Sequence, residues 1–116
     1  MLICIGGQAQ KKWSCISHTK KIVQLFEQNK FNEISKQFNA SLKESVSTER
    51  LEQIWVGICK QGDGFLGFGE VSESTYNSRP VGRALCKLKN GNKNLVINYT
   101  SQGEICGLFF QPTEPK

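Results

Sequence analysis

Four glycines, at positions 62, 64, 67 and 69, divide this chain into two halves that follow different hydrophobic periods. So dense a run cannot continue a helix, because each glycine gives up more backbone freedom there than any other residue, and it marks a turn entering a bent or bulged strand. Before it, apolar residues recur every three or four positions; after it, they alternate. The chain therefore has to segregate helices and strands along its length, which is the signature of an α+β domain.

In the first half, Ile16, Ile22, Val23, Leu25 and Phe26 recur at helical spacing from Ser14 to Asn29, with Lys20, Lys21, Gln24, Glu27 and Gln28 on the other side. The pattern predicts a first helix of about four turns. Phe31, Ile34, Phe38 and Leu42 continue at steps of three or four, but Asn29 and Asn39 favour helix ends, so one or two short helices are expected here. Ser47 or Thr48 caps the next helix, Glu49 suits its first turn, and Leu51, Ile54, Trp55 and Ile58 form its buried stripe.

In the second half, Ala84, Cys86 and Leu88 alternate with Leu85, Lys87 and Lys89, giving a strand with one wetter face. Asn90-Gly91-Asn92 is a hairpin turn, Leu95–Tyr99 the next strand, Ser101-Gln102-Gly103 a second turn, and Glu104–Gln111 the last strand before Pro112. The expected architecture is N-terminal helices packed on a curved antiparallel sheet of about four strands, the last three forming a meander. At 116 residues there is room for one such domain. Its core is modest, so dimerisation would add to its stability.

Charge and cysteine content narrow the partners. The 15 Lys and Arg exceed the ten acidic residues by five, but they are scattered, only three are Arg, and no strip of interleaved aromatic and basic residues appears. Nucleic acid is accordingly not expected as a partner. No stretch approaches the roughly 20 apolar residues of a membrane span. The opening "LICIGGQAQ" runs four apolar residues into small ones and reads as a signal-peptide remnant over residues 1–9, with one domain over 10–116 and a secreted or periplasmic location. Removing Cys4 leaves Cys15, Cys59, Cys86 and Cys106, each inside an apolar pattern, so buried thiols are expected. Their spacing contains no C-x₂-C pair, and no metal or other cofactor is expected.

The segments "FNEISKQF" at 31–38, "LEQIW" at 51–55 and "GEICGLFFQP" at 103–112, in this order of elements, resemble the uncharacterised NTF2-like domain of secreted bacterial proteins, which often precedes an α/β-hydrolase domain. The resemblance covers Ser14 to Pro112. It implies a cone-shaped fold with the sheet wrapped around the helices, and a homodimer through the sheet. No G-x-S-x-G nucleophile motif is present in the chain.

Catalytic residues are not evident from the pattern. Asp63 sits between glycines in a turn, where aspartate serves local backbone hydrogen bonds, and His18, among Ser17, Thr19 and two lysines, reads as a solvated histidine. Glu52, Glu70, Glu73 and Glu104 read as surface charge. The aromatic residues instead suggest a hollow for a small apolar ligand, lined by Trp55, Tyr99, Phe38, Phe68 and Phe109, with Trp55 and Tyr99 favoured for their polar handles. The expected function is a non-enzymatic binding or dimerisation module. The alternative is a small isomerase or hydrolase-like enzyme using a carboxylate inside the cone.

Overall fold

The computed structural model describes residues 13–113. Four helices, α1 (Cys15–Glu27), α2 (Phe31–Ser35), α3 (Ala40–Ser45) and α4 (Thr48–Gln61), precede four strands, β1 (Phe65–Tyr76), β2 (Arg79–Leu88), β3 (Lys93–Tyr99) and β4 (Ile105–Pro112). The strands form one antiparallel meander in the order β1-β2-β3-β4. The α+β architecture expected from the two hydrophobic periods is the one observed. The signal-like residues 1–9 lie outside the described residues.

The helix boundaries follow from local chemistry. Ser14, Asn39 and Ser47 each accept a hydrogen bond from the backbone N–H three residues on, satisfying a donor that the first turn of α1, α3 or α4 leaves unpaired. At the far ends, α1 and α4 close in the same way. Asn29 (φ 58°) and Asp63 (φ 62°) turn left-handed. The Lys30 N–H then reaches the Leu25 carbonyl at 2.9 Å, and the Gly64 N–H the Cys59 carbonyl at 3.0 Å. These are Schellman closures, and Asn and Asp occupy them because both tolerate the left-handed region.

The strands extend further than the alternating residues alone suggested. Here β1 runs through the polar segment Ser72–Tyr76, and β2 begins at Arg79, joined by the two-residue turn Asn77-Ser78 with both φ values positive (53° and 67°). Positive φ at both central residues defines the type I′ turn that matches strand twist. Without a glycine in it, this turn carries no strong sequence signal. Pairing between β1 and β2 shifts register between Phe65 and Gly67 and again between Phe68 and Val71. Those are the bulges anticipated from the glycine run, and they bend the strand.

Residues paired across the sheet form rows that share a face. One face carries Val71, Ala84, Leu95 and Phe110 in a row, with Gly82, Ile97 and Leu108 in the next, and it packs against the helices. Every buried apolar residue of α1, α2 and α4 belongs to this core, and α3, which buries none, packs Leu42 against it, so the helices share one side of the sheet. At its centre Phe26 meets Trp55 at 4.9 Å between ring centroids and touches Phe31, Phe68 and Phe110. Trp55 lies parallel to Phe68 within 13°.

Helix α1 sits unusually close to β2 at Gly82. A Cβ there would land on the Thr19 hydroxyl and within 3.0 Å of the Thr19 Cβ. Since Thr19 is fully buried, neither group has room to yield. Gly82→Ala is therefore expected to destabilise the fold by about 1–3 kcal/mol, read as a lower urea midpoint. An unchanged midpoint would mean that the helix can lift off the strand at no cost.

Candidate functional site

A cavity of about 350 Å³ opens where α1 crosses the end of β3 and the start of β4. Helix α1 supplies Ser17, His18, Lys21 and Ile22, two i,i+4 pairs side by side on one flank of the helix. Gln37, Tyr99 and Ile105 complete the lining. Ile22, Tyr99 and Ile105 lie beneath it, each at most 2% exposed, while Ser17, Lys21 and Gln37 lie exposed at the rim. His18 is half-buried between them.

Long-range backbone pairing brings Gln37 into this group. The Ile105 N–H donates to the Gln37 carbonyl and the Asn39 N–H to the Ile105 carbonyl, both at 2.8 Å, so the α2–α3 connection docks on the first residue of β4 as a short parallel bridge. Phe38, between them, is buried beneath the bridge.

Three rings pack on one another beside the cavity. Trp13 packs edge-on to His18 at 5.1 Å and tilts over Tyr99 at 5.3 Å, while its indole N–H donates to the Ser101 carbonyl at 3.1 Å. The turn at Gly103 (φ 92°) lies under the indole, and a Cβ there would approach the Trp13 ring to 3.0 Å. His18 thus departs from the solvated histidine expected from its polar neighbours: the aromatic residue five positions earlier folds back onto it.

Tyr99 is the one residue of the sequence-derived set that lines the cavity. Its hydroxyl shares a buried 2.8 Å hydrogen bond with Thr19 Oγ1, and burial holds its pKa above the usual tyrosine value. Trp55 and Phe68 stack in the aromatic core instead, Phe38 lies under the β4 bridge, and Phe109 points to the opposite face of the sheet, 40% exposed. The five aromatics are not gathered in one hollow. Phe26, Phe65 and Phe110 occupy the space between Trp55 and the sheet, so that region is solid packing.

The carboxylates give the geometry a further character. Asp63 and the eight described glutamates are all exposed, and none lines the cavity. Among the described residues no group of three metal-ligating side chains comes together. No helix of the described residues is long and apolar enough to cross a membrane. The arrangement offers recognition chemistry: an ammonium, an imidazole, a hydroxyl and a carboxamide above an apolar base.

The four described cysteines are unpaired. Burial pushes the Cys86 thiol up to about 12, and burial with the nearby Glu73 carboxylate pushes Cys15 up to about 11. Burial raises Cys59 as well. These thiols remain protonated at neutral pH, which makes them poor nucleophiles.

Two predictions follow from these groups. Tyr99→Phe leaves the Thr19 hydroxyl buried without its partner and is expected to cost about 1–3 kcal/mol. Adding Thr19→Val to it should cost less than the sum of the two single changes, as a double-mutant cycle by urea denaturation would show. The second concerns alkali. Between the ordinary thiol value of 9 and about 12, the unfolded chain releases a proton that folded Cys86 retains, so this contribution is intact below pH 9 and is lost as pH rises above it. The fall in urea midpoint above pH 9 should be shallower in Cys86→Ala than in the wild type.

No curated protein and no solved structure matches the chain significantly. A family model described as protein of unknown function, DUF3887, matches residues 19–108, from the buried Thr19 of α1 to Leu108 of β4. That span takes in Gly82, the Thr19–Tyr99 pair and the docked start of β4, and it covers most of the domain; the chain belongs to the DUF3887 family.

Proposed function

We propose that this domain is a non-enzymatic, NTF2-like binding module of an exported bacterial protein, and that it works as a homodimer joined through the outer face of its sheet. The observation that carries this reading is the composition of that face. Ser72, Arg83, Val96 and Phe109 form a row across all four strands, flanked by Val81 and Leu85. Val81 and Val96 are 3% exposed yet stand apart from the helix-covered core, and Phe109 projects beside them.

Leu85 and Phe109 are the apolar side chains of this face that still meet water, and with the polar Asn94, Asn98 and Gln111 around them they have the layout of an association surface: residues that gain from losing water beside polar groups that tolerate it. A two-fold interface would set this patch against its own copy, with Phe109 near the axis. The helices over a bulged antiparallel sheet support the NTF2-like reading. The apolar run into small residues at 2–9 supports export.

Sedimentation equilibrium tests the assembly. The wild type is expected at twice the 13.0 kDa chain mass, and Phe109→Glu should weaken the dimer about thirtyfold or more. A wild type that stays monomeric at every concentration examined would remove the proposal.

A further inference from the structure

The two edges of the sheet are finished differently. At β4 the α2–α3 connection docks on Ile105 through backbone hydrogen bonds. Strand β1 pairs with β2 alone, and among the described residues no backbone hydrogen bond outside that ladder reaches Phe65–Tyr76. We infer that the free edge of β1 takes up an extended segment of a partner protein as an added strand, one that turns a basic side chain and an apolar one toward α1. This gives the binding role proposed above its partner and rests on that role, but not on the dimer, whose contact lies on the outer face.

The hairpin at Asn77-Ser78 decides which backbone groups are free. In a two-residue hairpin the residues flanking the turn, here Tyr76 and Arg79, bond to each other, and bonded pairs then alternate with unbonded ones along the ladder. Ser74–Val81 and Ser72–Arg83 are therefore bonded, whereas Thr75, Glu73 and Val71 turn their N–H and C=O groups away from β2. Pro80, which has no N–H, stands opposite Thr75, in agreement with that phase. The register shifts lie before Val71, so from Val71 to Tyr76 the edge is regular. It carries none of the prolines or lysines that commonly shield an edge. A row of donors and acceptors at this spacing is matched by another strand.

The side chains beside this backbone set what the added strand carries. A groove of about 500 Å³ runs between α1 and β1, its lining including Phe68 and Val71, Glu27 and Glu70, and Lys20. Phe68 and Val71 are only half-buried, so each has apolar surface left to cover. Glu73 lies on the same side of the sheet, its carboxylate close enough to Cys15 of α1 to raise that thiol. Glu27, Glu70 and Glu73 thus outnumber Lys20 along this flank, and among the described residues none of them is held in an ion pair. Arg79, Arg83 and Lys87 project from the other face of β2. A second copy of the chain is a poor occupant, because self-pairing centred on Glu73 sets two glutamates against each other. A strand with Lys or Arg opposite Glu73, and an apolar residue two positions away against Val71 and Phe68, matches both the charge and the groove.

The probe is the acetylated and amidated peptide SVTVTKTKS, whose valines and lysines share one face of a strand. SVTVTETES is its acidic counterpart, and a third version carries N-methyl groups on the valines and lysines, which removes the N–H groups that would face β1. In titration calorimetry and hydrogen exchange of the intact protein, the basic peptide is expected to bind saturably and to slow exchange at the amides of Val71, Glu73 and Thr75. The acidic peptide should bind about tenfold more weakly. The N-methylated peptide should leave those amides unprotected. Glu73→Lys should reverse the preference between the basic and acidic peptides, which a merely damaged fold would not do. Glu44→Lys, on α3, should change the basic peptide's affinity by less than about twofold and controls for net charge. Both glutamates are exposed, so both variants keep the fold. Absence of saturable binding, protection confined to other amides, or equal affinity for the basic and acidic peptides would each overturn the inference. A monomeric protein that still binds the basic peptide would refute the dimer and leave this edge standing, and a dimer that ignores the peptide would do the reverse.

Discussion

The contact between Thr19 and Gly82 governs how the two halves of the chain meet. A helix can lie this near a strand only where the strand presents no side chain, and the single glycine on the inward face of β2 supplies that opening. Thr19 fills the gap and shares its hydroxyl with Tyr99 on the neighbouring strand β3, so this close approach is also a polar one. Its hydrogen bond is well placed to fix the helix axially, because an apolar contact alone would permit sliding along the sheet. Ser17, His18 and Lys21 keep their places above β3 and β4 because Thr19, between them in sequence, is pinned.

That arrangement splits the interior into two zones of different character. Toward one end, Phe26, Trp55, Phe65, Phe68 and Phe110 fill the space between α4 and the bulged strand with ring against ring. Toward the other, Tyr99, Trp13 and His18 form a looser group with a cavity beside it. Large aromatic residues bury a large apolar area each, and concentrating five of them at one end leaves the cavity at the other.

Hydrophobic period made the architecture legible. The change of period at the glycine run placed the helix-to-strand boundary, and Ser14, Ser47, Asn29 and Asn90-Gly91 marked most of the ends, because these signals act over three or four residues. The Asn77-Ser78 turn was not legible, since neither residue demands a left-handed backbone and the strands beside it are polar and solvated. Site residues were harder still. Aromatic count pointed to Trp55 and Phe68, but a ring's polar handle does not reveal whether neighbouring rings will crowd around it. His18 and Gln37 come together only through the bridge at Ile105 and the folding back of Trp13, two contacts between residues far apart in sequence. Only the i,i+4 spacing of Ser17 with Lys21 and of His18 with Ile22 hinted at a shared flank.

The bridge between Phe38 and Ile105 also bears on the order in which the molecule assembles. Three hairpins linked by tight turns can zip locally, each with a small loop to close. Docking the α2–α3 connection against β4 instead spans most of the polypeptide, and its entropic cost is recovered only once both partners are formed. It also occupies backbone groups at the open border of the sheet, where a foreign strand would otherwise attach. Late arrival of this one short pairing would leave that border uncovered, so a newly made chain is most prone to self-association in the interval before its helical half settles.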